Sequence, residues 1–306
     1  MNKYLQSCAI TIASIASISG TAAIAAGESG EYVNEIAPNV YSYSPGNGYH
    51  SMFVVTEEGV AVFETVNSQH STSMLEAING ITDQPVVYGF QTHNHWDHAS
   101  GGAVLQSAGA ETVMHRQAAE WLEANPGRDT SPPDIVWSGD RHDIELGGVT
   151  IEHHYLGLNH GLGMTVFVVP ELEVAYIGDL VTPNRVMFNI VPDFNIGEWE
   201  RSLGEILELN FETAVCSHSE LPAGEVENGC TKEHVAEERA YIQDLRGAIF
   251  AEFEKGTPAS EIPTSIELPQ YAHWAHYDDW LAMNAQRVLL DLWMGPYPWV
   301  PAETAE

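Results

Sequence analysis

Positive charge is scarce in this 306-residue chain. Eleven lysines and arginines stand against 43 aspartates and glutamates, a formal net charge of -32. Lysine is almost missing, with Lys3, Lys232 and Lys255 the whole supply. A surface so negative repels phosphate backbones and anionic bilayers, which argues against nucleic acid and acidic membrane as partners. It stays soluble where salt screens self-repulsion, which fits a saline setting. Long apolar runs are lacking too: outside the first residues nothing approaches 18 consecutive apolar positions, so no other segment should span a membrane. Cysteine is limited to Cys8, Cys216 and Cys230. Too little apolar sequence precedes Cys8 for a lipoprotein cysteine. The other two could close one short loop, worth ~3 kcal/mol in an oxidising compartment. Two free thiols are the equal alternative.

What is present begins with an apolar, small-residue stretch after Lys3. Ala23-Ile24-Ala25 offers an A-x-A cleavage site, so residues 1–25 are expected to be a signal peptide. Many serines and threonines, and no stop-transfer charges, argue against a membrane anchor. The mature chain would be periplasmic or secreted. An apolar content of 44% over this length supports one large domain or two modest ones. Residues 50–66 pattern as a hairpin about Glu57-Glu58-Gly59, followed by a helix, then a buried-type strand through Thr92. Strands and helices continue to alternate, with a long Gly, Pro, Asp and Ser loop over 127–140. Residues 198–210 form an amphipathic helix with Trp199, Leu203, Ile206 and Leu207 on one face. From about 231 the pattern turns helical, with a long helix stopped at Gly256 and another after Tyr277.

The stretch QTHNHWDHASGG, residues 91–102, concentrates His93, His95, Asp97 and His98 in six positions just past a strand end. In extended backbone His93 and His95 point the same way and can reach one ion, while Asp97 and His98 follow where the chain turns toward a second. Three more residues sit at strand ends in order: His160 in GLNHGLG, Asp179 in AYIGDL and His218 in CSHSE. Each alone has a plain structural explanation, as turn histidine, helix cap or surface residue. Their order after a complete H-x-H-x-D-H favours metal. Imidazole and carboxylate without thiolate suit zinc, and permit iron or manganese.

In these residues the sequence resembles the metallo-β-lactamase superfamily, over a layout of roughly 33 to 220. The resemblance implies an α/β fold, an αββα sandwich over residues 26–230, with 231–306 as a C-terminal helical extension packed on it. It assigns His93, His95 and His160 to one Zn2+, Asp97, His98 and His218 to a second, and Asp179 to a bridge. Two such ions ~3.5–4 Å apart make hydroxide available at neutral pH to attack a carbonyl. Asp97 is then the candidate catalytic group, orienting the nucleophile or passing a proton to the leaving group. The family often has an aspartate in a D-T-G pattern where this chain has VFETV, so Glu64 is expected to support a ligand histidine with a longer arm. An aspartate at 179 departs from secreted β-lactamases and is closer to lactonases and glyoxalase II-type thioesterases.

For substrate, the charge disfavours phosphodiesters, and a glutathione thioester lacks the cations it would need. Arg185 could anchor a substrate carboxylate, and an ordinary surface ion pair is the equal alternative. Trp96 and the aromatics Tyr271, Trp274, Tyr277 and Trp280 are candidates for the pocket wall, although at least half should simply pack helices. The expectation is an exported dinuclear hydrolase of a small ester, lactone or lactam. A mononuclear iron sulfur dioxygenase using His93, His160 and Asp179, or a non-catalytic metal-binding protein, are the alternatives. The flavin-linked di-iron oxidases are set aside because they carry glutamate at the position of His95. His115, His142, His153, His154, His273 and His276 are taken as structural or surface residues. Nothing in the sequence sets an oligomeric state.

Overall fold

The computed structural model describes residues 30–191 and 193–297. The leader expected over residues 1–25 lies outside the described residues. The chain opens with four antiparallel strands, β1 (Glu31–Ala37), β2 (Val40–Pro45), β3 (Ser51–Thr56) and β4 (Gly59–Phe63). Then follow α1 (Ser68–Asn79), β5 (Val86–Phe90), α2 (Trp96–Ala99), α3 (Gly102–Ser107), β6 (Glu111–His115), α4 (Arg116–Ala124) and β7 (Ile135–Trp137). Strands β4 to β7 are parallel and complete a seven-stranded sheet in sequence order. β7 falls inside the stretch expected to be a long loop. Three residues flanked by proline and Gly139 carry no readable period.

The second half builds a five-stranded sheet from β8 (Arg141–Leu146), β9 (Val149–Tyr155), β10 (Thr165–Val169), β11 (Val174–Gly178) and β12 (Thr213–Cys216), ordered β12-β11-β10-β9-β8. The helix α5 (Ile196–Ile206) crosses from β11 to the parallel β12. Helices α6 (Lys232–Lys255), α7 (Ile262–Ser265) and α8 (Tyr277–Met294) end the described chain. None is long and apolar enough to cross a membrane.

The period of two along β10 and β11 explains the layering. Phe167, Val169 and Tyr176 face the other sheet and pack with Phe63, Phe90 and Val113. Their neighbours Val166, Val168, Ala175 and Ile177 face outward onto Trp199, Leu203 and Ile242. On the opposite flank, Phe53 and Val62 meet Met74, Ile78 and Leu105 of α1 and α3. Both faces of the inner strands are covered, which is why β4, β10 and β11 read as unbroken apolar runs. The result is the expected αββα sandwich, with α6 and α8 lying on the second sheet.

The sandwich places four strand ends along one edge. Glu64 follows β4, residues 91–98 follow β5, Asp179 follows β11 and His218 follows β12. The connection from β9 to β10 carries His160 to the same edge. Thr165 N–H donates to Thr92 O at 3.0 Å and ties the two sheets together there.

Candidate metal centre

The histidine cluster is partly wound. His95 stands before the four-residue helix α2, whose first turn holds Asp97 and whose last residues include His98. Extended backbone through His93 and His95, then one helical turn, splits the motif between two neighbouring positions. Asn94 pins this loop to the next ligand loop: its N–H donates to Leu162 O at 3.2 Å, and its Oδ1 accepts from Leu162 N–H at 2.7 Å. Between them sits Gly161 at φ 78°. A Cβ there would lie 2.8 Å from Asn94 Oδ1 and 3.1 Å from His95 Nε2, so both the backbone angle and the crowding require glycine.

The donor atoms of His93, His95 and His160 lie within 4.8 Å of one another, and so do those of Asp97, His98 and His218. Asp179 stands between the groups. Its Oδ2 is 3.1 Å from His98 Nε2 and 3.3 Å from His160 Nε2, and its Oδ1 is 3.8 Å from His218 Nε2. Hydrogen bonds on the far sides of the rings select tautomers. His95 Nε2–H donates to Asp193 at 2.8 Å, leaving the Nδ1 lone pair facing His93 Nε2 at 2.9 Å. His218 Nδ1–H donates to Gly48 O at 2.9 Å. His98 Nδ1–H is 3.3 Å from Glu64 Oε2. Thr92 donates its hydroxyl to the same Glu64 oxygen at 2.5 Å and accepts from His93 Nδ1 at 2.8 Å. Each of these rings is therefore left with a bare nitrogen turned inward.

Two inward atoms test the fit to metal directly. His98 Nε2 and Asp179 Oδ1 are buried and hydrogen-bonded to nothing, the state expected of donors built to face a cation. Nitrogen and carboxylate oxygen in this number fit a pair of divalent ions. The site also stores strain. Glu64, fully buried, holds φ 78° in the left-handed region that non-glycine residues avoid, and that angle brings its carboxylate under His98.

Electrostatics follow from crowding. Burial would push the Asp179 carboxyl up, but His98, His218 and His160 outweigh it and hold the group well below its usual range. Burial alone would lower His98, yet Asp179, Asp97 and Glu64 raise it well above an ordinary histidine, so a cation held there takes the place of the Nε2 proton. His93 goes the other way, lowered by burial and by neighbouring imidazoles. Burial likewise lowers His218, to about 4.

Asp97, with 53% of its side chain exposed, receives the Tyr49 hydroxyl at 2.9 Å. Tyr49 also lies over the His218 ring at 4.5 Å. Phe194 covers His160 at 3.9 Å between ring centres. Tyr49, Asp193 and Phe194 escaped the sequence reading because none belongs to a spaced motif. They come from turns far from the histidines in sequence.

A cavity of about 320 Å³ opens over this centre, with Asp97, Asp179 and Arg185 among its lining. Trp96 does not line it. Half-exposed at 50%, it turns outward, donates Nε1–H to Asn125 O at 3.2 Å and covers Gly127. Its place in the first turn of α2 points it away from the ligands on either side. Tyr271 and Trp274 are buried in the core under α6, and Tyr277 accepts Leu268 N–H, so these aromatics pack helices. Trp280 packs edge-on against Phe188, which lines the cavity, without lining it itself. A larger cavity of about 560 Å³ lies between α4 and β7, lined by Leu122, Pro132 and Val136 and by none of these donors.

His115, His142 and His153 gather with Trp137 and Tyr155 as an aromatic stack, and among the described residues they form no metal-ligand group. The two cysteines are joined, Cys216 to Cys230, with Cα atoms 6.2 Å apart.

A family profile described as the metallo-beta-lactamase superfamily matches residues 45–218, more than half of the chain. The alpha subunit of a 2,4-dinitroanisole O-demethylase from Nocardioides sp. (strain JS1661) is 30% identical over 135 residues, 44% of this chain and 41% of that protein. Metallo-beta-lactamase IND-1 of Chryseobacterium indologenes is 26% identical over 159 residues, 51% of this chain and 65% of that one. The chain thus spans less than two thirds of either curated relative. Among solved structures, the stereoselective inverting sec-alkylsulfatase Pisa1 from Pseudomonas sp. superposes with a TM-score of 0.67 at 13% identity, over 87% of this chain and 50% of that one. That share exceeds everything before Thr231, so the structural likeness runs into the helical extension. With its αββα layers, its ordered strand-end donors and this profile match, the chain belongs to the metallo-beta-lactamase superfamily.

Proposed function

We propose that this protein is an exported, dinuclear metal-dependent hydrolase acting on a carbonyl of a small ester, lactone or lactam. One observation carries the reading: two three-residue donor groups share an edge of the sandwich, with Asp179 in reach of both. Zinc suits the donors best: His93, His95 and His160 would hold one ion, Asp97, His98 and His218 the other, and Asp179, in reach of both groups, would serve the pair. When bound, such a pair supplies Lewis acidity and a nucleophile drawn from water at neutral pH.

The chain's own residues do the rest. Asp193, Glu64 and the Gly48 carbonyl lock the imidazoles in their ligating tautomers. The Tyr49 hydroxyl donates to Asp97 at 2.9 Å, which favours its ionised form. An ionised carboxylate at the cavity floor can take the proton that water gives up and return it to the leaving oxygen or nitrogen. Phe188 and Phe194 offer the acyl part an apolar wall.

The test is metal content per chain in mature protein purified without added metal, with hydrolysis of an aryl ester, a homoserine lactone and a chromogenic lactam measured on the same sample. Two zinc ions and turnover that disappears in His95→Ala are expected. One iron per chain and no hydrolysis would overturn the reading in favour of an oxygen-using enzyme.

A further inference from the structure

Arg185 is the single lysine or arginine lining the cavity, in a chain with few cations to place. Its position is fixed by the helical extension as well as by the sandwich. Ala275 N–H donates to Asn184 O at 2.8 Å, and Arg185 forms a parallel bridge with Ala275. The guanidinium carbon lies 5.9 Å from the ring centres of both Phe188 and Trp280, an edge-to-face pair 5.2 Å apart that flanks it on one side. Nη2–H donates to Thr182 Oγ1 at 3.0 Å. Nε is buried and has no partner among the described residues.

The carboxylates whose charge acts on it are Asp179, Glu220 and Glu238. Among the described residues Arg185 makes no ion pair, and Asp179 already serves the histidines. Glu238, buried on α6, takes the backbone N–H of Thr182, and burial pushes its carboxyl up to about 8 despite the pull of Arg185. A buried guanidinium with an open N–H edge is costly to keep unless something completes it.

We propose that Arg185 is a carboxylate anchor, so that the substrate is an ester or lactone bearing a carboxylate of its own. This rests on the hydrolase reading and names its substrate class. The planar fork matches a carboxylate in two-point geometry, which an ammonium could not do. The flanking Phe188 and Trp280 rings then select a substrate whose carboxylate sits on an apolar arm. A cavity of about 320 Å³ fits a small molecule of this kind.

The experiment compares 4-nitrophenyl hemisuccinate with 4-nitrophenyl acetate on the metal-loaded full chain, in wild type, Arg185→Lys and Arg185→Gln. Calorimetric binding of phenylacetate and of neutral phenylacetamide is measured on the same samples. Wild type should favour the hemisuccinate. Arg185→Gln should cut the hemisuccinate-to-acetate ratio of kcat/KM by at least about tenfold, mainly through KM, with Arg185→Lys in between. A ratio unchanged within experimental error would overturn the anchor while leaving the hydrolase reading intact. If neither ester turns over, the hydrolase reading fails and the binding arm decides alone. Phenylacetate bound at least about tenfold more weakly by Arg185→Gln, with phenylacetamide unaffected, would support the anchor, and equal binding would sink it.

Discussion

At the scale of single residues, the centre depends on side chains that hold the ligand histidines in place. Asp193 accepts from His95 Nε2 and thereby decides which nitrogen of that ring faces inward. Removing the carboxylate frees the ring to rotate and to change tautomer. Asp193→Ala should therefore weaken metal binding by about ten- to hundredfold, as loss of such supporting partners does elsewhere. Competition with a chromogenic chelator measures it, and an affinity equal to wild type would show that His95 is oriented by packing alone. Glu64 was legible in the sequence as a support for a ligand histidine, and the structure places its carboxylate 3.3 Å from His98 Nδ1. Asp193 was not legible. It sits in a turn before α5, and nothing in its neighbours marks it as different from any other acidic residue in an acidic chain.

At the scale of elements, β12 and its continuation show how a strand end is held for chemistry. Cys216 closes β12, is bonded to Cys230, and stands two residues before His218. The backbone of Cys230 pairs with Ala214 in both directions, at 2.7 and 2.8 Å. Gly229 makes that approach possible, since a Cβ there would meet Ala214 O at 2.1 Å. The sequence left bridge and free thiols equal, because spacing alone does not say whether two Cβ atoms face each other. Replacing both cysteines by serine should cost ~3 kcal/mol for a loop of this length. The fall would appear in the urea midpoint of the metal-loaded protein, together with looser metal binding through His218. A midpoint that does not move would mean that the backbone pairing holds the loop unaided. The short α2 carries a related lesson. The sequence placed the histidine cluster in a loop, yet one helical turn is what separates His98 from His93 and His95.

For the whole molecule, the charge of -32 is the dominant quantity. Acidic groups crowded on one surface repel each other in the compact state more than in the expanded one. Sodium chloride raised from about 10 mM to about 0.5 M shortens the screening length from ~30 Å to a few ångströms, so the melting temperature should climb. Thermal unfolding followed by circular dichroism checks this. A melting temperature that falls or stays level with salt would mean that local ion pairs such as Arg141 with Asp143 outweigh the general repulsion.

The sequence by itself determined the alternation of strands and helices, the strand ends at which the donors sit and the order in which they occur, while the αββα layering was implied by the family resemblance. These are local properties: strand period, glycine turns and a six-residue motif are written in neighbouring positions. Only the tertiary structure decided that Asp179 reaches both donor groups, that Trp96 turns outward, that the cysteines meet and that Arg185 is gripped by the helical extension. Those facts join residues tens to about a hundred positions apart. They are set by how two sheets and their covering helices pack, a geometry that no window of sequence contains.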